Sequence, residues 1–146
     1  MAWQVKDPAF AERVRTSFAR QEFMATLGAR LGRVEPGEVD IELPVRDALT
    51  QQHGFVHAGA LASVLDSAAG YAAFTLMPKG AAVLSIEFKI NLLEPARADG
   101  FLARARVLRP GRTLSICQAD VVGTDADARL IATMTSTIII RPVRRP

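Results

Sequence analysis

The chain has 146 residues, enough for a single domain with a sizeable core, and its 49% hydrophobic and 23% charged content is that of a soluble globular protein. One cysteine, Cys117, excludes an internal disulfide and suits a reducing compartment, and two histidines beside it leave little from which to build a metal site. A net charge of +3 leans towards anionic partners but is too weak to point to nucleic acid.

No apolar run of signal-peptide length opens the chain, so the expected location is cytoplasmic. Asp7-Pro8 can start a first helix, with Asp as cap and Pro at the first helical position. Phe10, Val14, Phe18 and Ala25 share its apolar face as far as Leu27, while Glu12, Arg13, Arg20 and Glu22 take the other. Such an amphipathic helix packs onto its own domain more readily than onto a membrane surface. Pro36-Gly37 marks a turn. Val39, Ile41, Leu43 and Val45 then alternate with acids, which predicts a half-exposed strand. A polar loop from Arg46 to Gly54 follows.

The stretch from His57 to Met77 is the longest apolar segment. Between Gly54 and Pro78 it holds only two acidic or basic residues, His57 and Asp66. Leu61, Leu65, Ala68, Ala72 and Leu76 form one helical stripe. Gly59, Ser63, Asp66, Gly70 and Ala73 form a second, of small residues. A helix apolar all round is expected to be covered on every side. A membrane span fits poorly, because the segment is rich in Ala, Gly and Ser and carries a central Asp. A carboxylate on a covered helix is costly unless paired, hydrogen-bonded or wetted by a pocket. Asp66 is therefore either a scaffold acid bonded to a neighbouring strand or a functional group.

Pro78-Lys79-Gly80 ends that helix. Strands are expected at Leu84 to Leu92, Phe101 to Leu108, Thr113 to Val122 and Arg129 to Ile140, joined by short turns. The basic tail from Arg141 to Pro146 is expected to fray. Consecutive strands with short turns predict an antiparallel sheet, hence an α+β fold in one domain over 1–146, with its core at about 30–141. The helix has two faces and only one sheet to cover them, so a second copy of the chain is the expected partner.

The loop before the helix reads Gln51-Gln52-His53-Gly54-Phe55-Val56-His57-Ala58-Gly59, and Asp66 follows seven residues later. This resembles the hotdog-fold acyl-CoA thioesterases of the PaaI type. In those proteins an Asn, a Gly and a His-Gly-Gly precede an acid nine residues after the His. Gly54, His57, Gly59 and Asp66 match in spacing. Ser85 falls where many members carry a strand serine, and Gly111-Arg112 looks like a turn common in the family. Gln51 departs from the usual Asn and Ala58 from the first Gly. That Gly acts through its backbone N–H, which Ala retains, and Gln offers the same amide groups as Asn from one methylene further out.

The resemblance implies an antiparallel sheet wrapped around a long central helix. It also implies hydrolysis of an acyl-CoA, with a medium-chain or aromatic acyl group, to free acid and coenzyme A. Asp66 would act as general base or nucleophile, Ser85 would hold the water, and Ala58 and Gly59 would receive the carbonyl at the positive end of the helix. Gln51 would orient the carbonyl, His57 and Gly54 would shape the substrate-binding loop, and Arg112 would meet the phosphates of coenzyme A. A plain reading of several of these residues stands beside that one: His57 as a hydrogen-bonder at the helix start, His53 as a solvated loop residue, Ser85 as a strand serine, Arg109 and Arg112 as solvated cations, Cys117 as inert. No cofactor, metal, nucleic acid or membrane is expected.

Ala58 and Asp66 are eight residues apart, about 12 Å along one helix axis. One carbonyl cannot touch both, because reacting groups must approach to about 3 to 3.5 Å. This predicts a homodimer, or a dimer of dimers, with sites shared between chains. The alternatives are a non-catalytic acyl-CoA-binding module on the same fold, which would have no need of Asp66, and a hydratase or dehydratase, whose usual His-and-acid pattern is not found.

Overall fold

Strand alternation and one apolar helix stripe together build the molecule. In the computed structural model, which describes residues 2–142, the chain runs α1 (Phe10–Ala19), α2 (Glu22–Leu27), β1 (Arg30–Glu35), β2 (Glu38–Pro44), a short 3-10 turn at Asp47–Leu49, α3 (Ala58–Phe74), β3 (Ala81–Leu92), β4 (Gly100–Arg109), β5 (Leu114–Gly123) and β6 (Leu130–Pro142). The six strands form one sheet in the order β1-β2-β4-β5-β6-β3, with every neighbouring pair antiparallel. α3 packs against β2 to β6 on one face of this sheet. This is the α+β hotdog arrangement.

The expected stripe of α3 is the core seam: Leu61, Leu65, Ala68, Ala72 and Leu76 are all buried. Alternate strand residues meet it, among them Ile41, Phe101, Ala103, Cys117, Val121 and Met134. Alanines on both sides let helix and sheet approach closely, while Leu61 and Leu65 each contribute about 1.5 to 3 kcal/mol by burial. Burial pushes the Cys117 thiol up to about 12, which makes it inert.

Three expectations need correction. The first helix is two helices. It starts at Phe10, with Asp7 Oδ1 accepting from Ala9 N–H at 3.0 Å, and it breaks at Arg20–Gln21, where Gln21 is extended (φ −84°, ψ 93°). α2 ends at Gly28, whose φ of 74° allows the Ala29 N–H to reach back to Met24 O. Second, β1 is a strand that periodicity did not reveal. Only Val34 is buried there, and the strand is held to β2 by backbone pairing and by Arg33–Glu38 (2.7 Å) and Arg30–Glu42 (3.3 Å) contacts. Third, Arg141 and Pro142 do not fray; at the end of β6 they pair with Ala82 and Ala81 of β3. Residues 143–146 of the basic tail lie outside the described residues.

Within one chain the sheet covers one face of α3, as two faces and a single sheet require. Along its second stripe Ala73 is buried, but Ser63, Asp66 and Gly70 are only half-buried and Gly59 is exposed. Another open surface is on β3, which sits at the sheet edge with Leu84, Ile86, Phe88 and Leu92 exposed. No helix among the described residues is long and apolar enough to cross a membrane.

Candidate active site

The sequence-predicted residues fall into two clusters. The first centres on Asp66, at the middle of α3. β3 presents Ser85 to it, because Ser85 pairs with the buried Ile138 and so faces the helix side of the sheet. The Ser85 hydroxyl donates to Asp66 Oδ1 at 2.5 Å. Such a bond to a carboxylate is strong and fixes its plane. Oδ2 makes no hydrogen bond among the described residues. A cavity of about 520 Å³ opens beside the pair, lined also by Ser67, Gly70, Tyr71 and Val83.

The second cluster is the start of α3. His57 is its N-cap, with extended backbone (φ −63°, ψ 137°), and its Nδ1 accepts from the Gly59 N–H at 2.7 Å. A side chain at Gly59 would put its Cβ 2.9 Å from that nitrogen, so glycine keeps the cap possible. The first-turn donors are thereby apportioned. Gly59 N–H goes to His57 Nδ1, and Ala60 N–H to His57 O at 3.0 Å. Among the described residues the Ala58 N–H has no partner, and it is left pointing out from the positive end of the helix. Gly59 therefore shapes the cap, and the free donor is that of Ala58.

Gln51 folds onto its own loop. Its Oε1 accepts from His53 N–H at 2.5 Å and Phe55 N–H at 3.4 Å, so its amide N–H₂ is the end that remains to face a ligand. Gly54 serves the same turn with a φ of 83°, a conformation side chains disfavour. His53 is exposed and touches Gln51 through its backbone. A cavity of about 500 Å³ brings Gln51, His57 and Ala58 together with Leu61, Leu92 and Pro95.

The two cavities share no lining residue. Within one chain the structure brings Asp66 to Ser85 and Gln51 to Ala58, but not one pair to the other. Arg112 lies exposed in the β4–β5 turn and lines neither cavity. Sequence reasoning missed Ser17 and Gln21, which reach the Asp66 cavity from the N-terminal helices. Nothing local marks them, since their partners Tyr71 and Ser67 lie far along the chain. No group of three or more His, Cys, Asp or Glu among the described residues could hold a metal ion.

The profile of the Thioesterase superfamily matches residues 53–127. A thioesterase family protein from Silicibacter pomeroyi has a similar structure, with a TM-score of 0.88 and 52% identity over 91% of this chain and 98% of that one. The human protein acyl-coenzyme A thioesterase 13 is 30% identical over 98 residues, which cover 66% of this chain and 69% of the human one. The E. coli PaaI protein shares the fold, with a TM-score of 0.81 at 19% identity over 89% of this chain and 91% of that one.

Proposed function

This chain belongs to the Thioesterase superfamily, and we propose that it hydrolyses an acyl-CoA, with a medium-chain or aromatic acyl group, to the free acid and coenzyme A. The observation that carries the reading is that the chain holds both a half-buried Asp66 bonded to Ser85 and, in a separate cluster, an unpartnered N–H at the start of α3. A thioester needs both, a base or nucleophile on one side of its carbonyl and a donor on the other. Asp66 Oδ2 takes a proton from water as the water oxygen attacks the carbonyl carbon. The Ala58 N–H receives the charge that develops on the carbonyl oxygen. Collapse expels the coenzyme A thiolate, which takes up the proton.

The separation of the two clusters supports a homodimer in which the Ala58 end of one protomer faces Asp66 of its partner. The open stripe of α3 and the apolar edge strand β3 favour the same arrangement, since a long edge with exposed apolar side chains invites pairing. The experiment uses two inactive variants. Asp66→Asn removes the base. Ala58→Pro removes the N–H at a helix position where proline is tolerated, after a residue whose ψ of 137° suits a following proline. Each alone should fail to release thiol from acyl-CoAs. Unfolded and refolded together, they should recover about a quarter of parent activity, because half the dimers are mixed and each mixed dimer has one intact site. If sites lie within single chains, the mixture stays inactive and the shared-site reading falls.

A further inference from the structure

The cavity beside Asp66 does not end at the helix. It runs along α3 past Gly70 to Tyr71 and Phe74, and there joins a second groove, of about 640 Å³, between α1 and α3. The wall is open at Gly70, where a Cβ would meet only Val83 Cγ2, at 4.0 Å. The junction is polar. Ser17 Oγ and Tyr71 Oη lie 3.1 Å apart, and the Ser67 hydroxyl donates to Gln21 Oε1 at 3.2 Å. These bonds leave capacity over. Only one of the two hydroxyls in the Ser17–Tyr71 pair can donate to the other, and the Gln21 amide N–H₂ has no partner among the described residues. The phenol ring is fixed between Phe18 and Phe74, with centroids 5.9 and 6.3 Å away. Charge is poorly provided for: Glu12, which also lines the second groove, is exposed. Arg13 is committed to Asp7 and to the carbonyls of Phe74, Met77 and Pro78, and Arg20 is exposed at the outer rim.

Resting on the thioesterase reading above, we propose that Tyr71, Ser17 and Gln21 select acyl groups bearing an uncharged hydrogen-bonding substituent remote from the scissile carbonyl, at the far end of the cavity that begins at Asp66, where Tyr71 stands about 7.5 Å further along the α3 axis. Ser17 and Gln21 lie in the N-terminal segment, outside the residues 53–127 matched to the superfamily, whereas Tyr71 lies within them. A pocket built to bond a hydroxyl rejects the analogue that lacks it, because its own polar groups are then left unpaired.

The test compares hexanoyl-CoA with 6-hydroxyhexanoyl-CoA in the parent, in Tyr71→Phe and in Gln21→Leu. Tyr71→Phe keeps the ring and its packing, so it reads the hydroxyl alone. The parent should favour the hydroxylated thioester in kcat/KM by about tenfold or more. Each variant should cut that ratio by about threefold or more. A parent ratio near one, or a ratio that survives both substitutions, overturns the proposal. If the parent releases thiol from neither compound, the hydrolase reading fails separately. The ratio of the two Kd values, measured by calorimetry on the same three proteins, then decides the pocket with the same expected and overturning results.

Discussion

The two halves of the candidate site are built from different materials. The Asp66 half is made of side chains: a carboxylate on α3 and a hydroxyl on β3, 2.5 Å apart. The Ala58 half is made of backbone: a helix start capped by His57, with one N–H left over. A side-chain half depends on residue identity, whereas a backbone half depends on conformation and tolerates a change of side chain. A backbone half of this kind would accommodate Ala58 in place of the glycine that the resemblance leads one to expect. It also orders the effects of substitution, because each half should break in its own way.

The largest effect is expected at Asp66. Asp66→Asn keeps the shape and the bond from Ser85 but removes the charge and the basic oxygen. Turnover should fall by about 10² to 10⁴ with folding and acyl-CoA binding retained. Near-parent turnover in a folded, binding variant would assign Asp66 to the scaffold. Next comes Ala58→Pro, which deletes one donor at the oxyanion, and kcat should fall by about 10² to 10³. The sharpening control is Ala58→Ser, which retains the N–H and should keep kcat within about tenfold of the parent. Equal losses in Ala58→Ser and Ala58→Pro would mean that the side chain matters, and the contrast between the halves would dissolve.

Ser85→Ala weakens the side-chain half without removing its base. The Ser85 bond goes to a carboxylate, and hydrogen bonds to charged groups are worth about 1.5 to 3 kcal/mol, so kcat should fall by about 10- to 100-fold. The readout that separates positioning from scaffolding is Ser85→Thr, which restores a hydroxyl and should recover most of the rate. A loss in Ser85→Thr as deep as in Ser85→Ala, with the fold intact, would remove Ser85 from the site.

The same division decides what could be read from the amino acids. Asp66 stood out because a lone acid on an apolar helix is costly, and the seam from Leu61 to Leu76 followed from its spacing. Strands with clean alternation, such as Val39 to Leu43, were equally plain. What stayed hidden depends on distant partners or on backbone direction. The break at Gln21 has no glycine or proline to mark it, and its side chain is bonded 46 residues away, to Ser67. β1 has only Val34 buried, so it carries no periodic signal and exists because β2 lies beside it. Which N–H of the first turn remains free was decided by the His57 ring, and composition does not encode that. What small apolar residues do not tell is which face of α3 lies on the sheet and which is left open, because a second chain and a sheet impose the same composition.

The smallest effect is expected at Arg112, which lies outside both halves. It is exposed in the β4–β5 turn and lines neither cavity, so any contribution to binding coenzyme A must come from charge at a distance or from a flexible reach. Exposed ion pairs are weak, and salt screens exposed charges over about 8 Å at physiological ionic strength. Arg112→Ala should therefore raise KM by about two- to fivefold at low salt, leave kcat close to the parent value, and lose its effect at high salt. Steady-state kinetics of both proteins across a salt series reads all three. A KM equal to that of the parent at every salt concentration would confine Arg112 to the solvated surface. A fall in kcat would instead show that the β4–β5 turn touches the reacting groups, and the site would then need a third part.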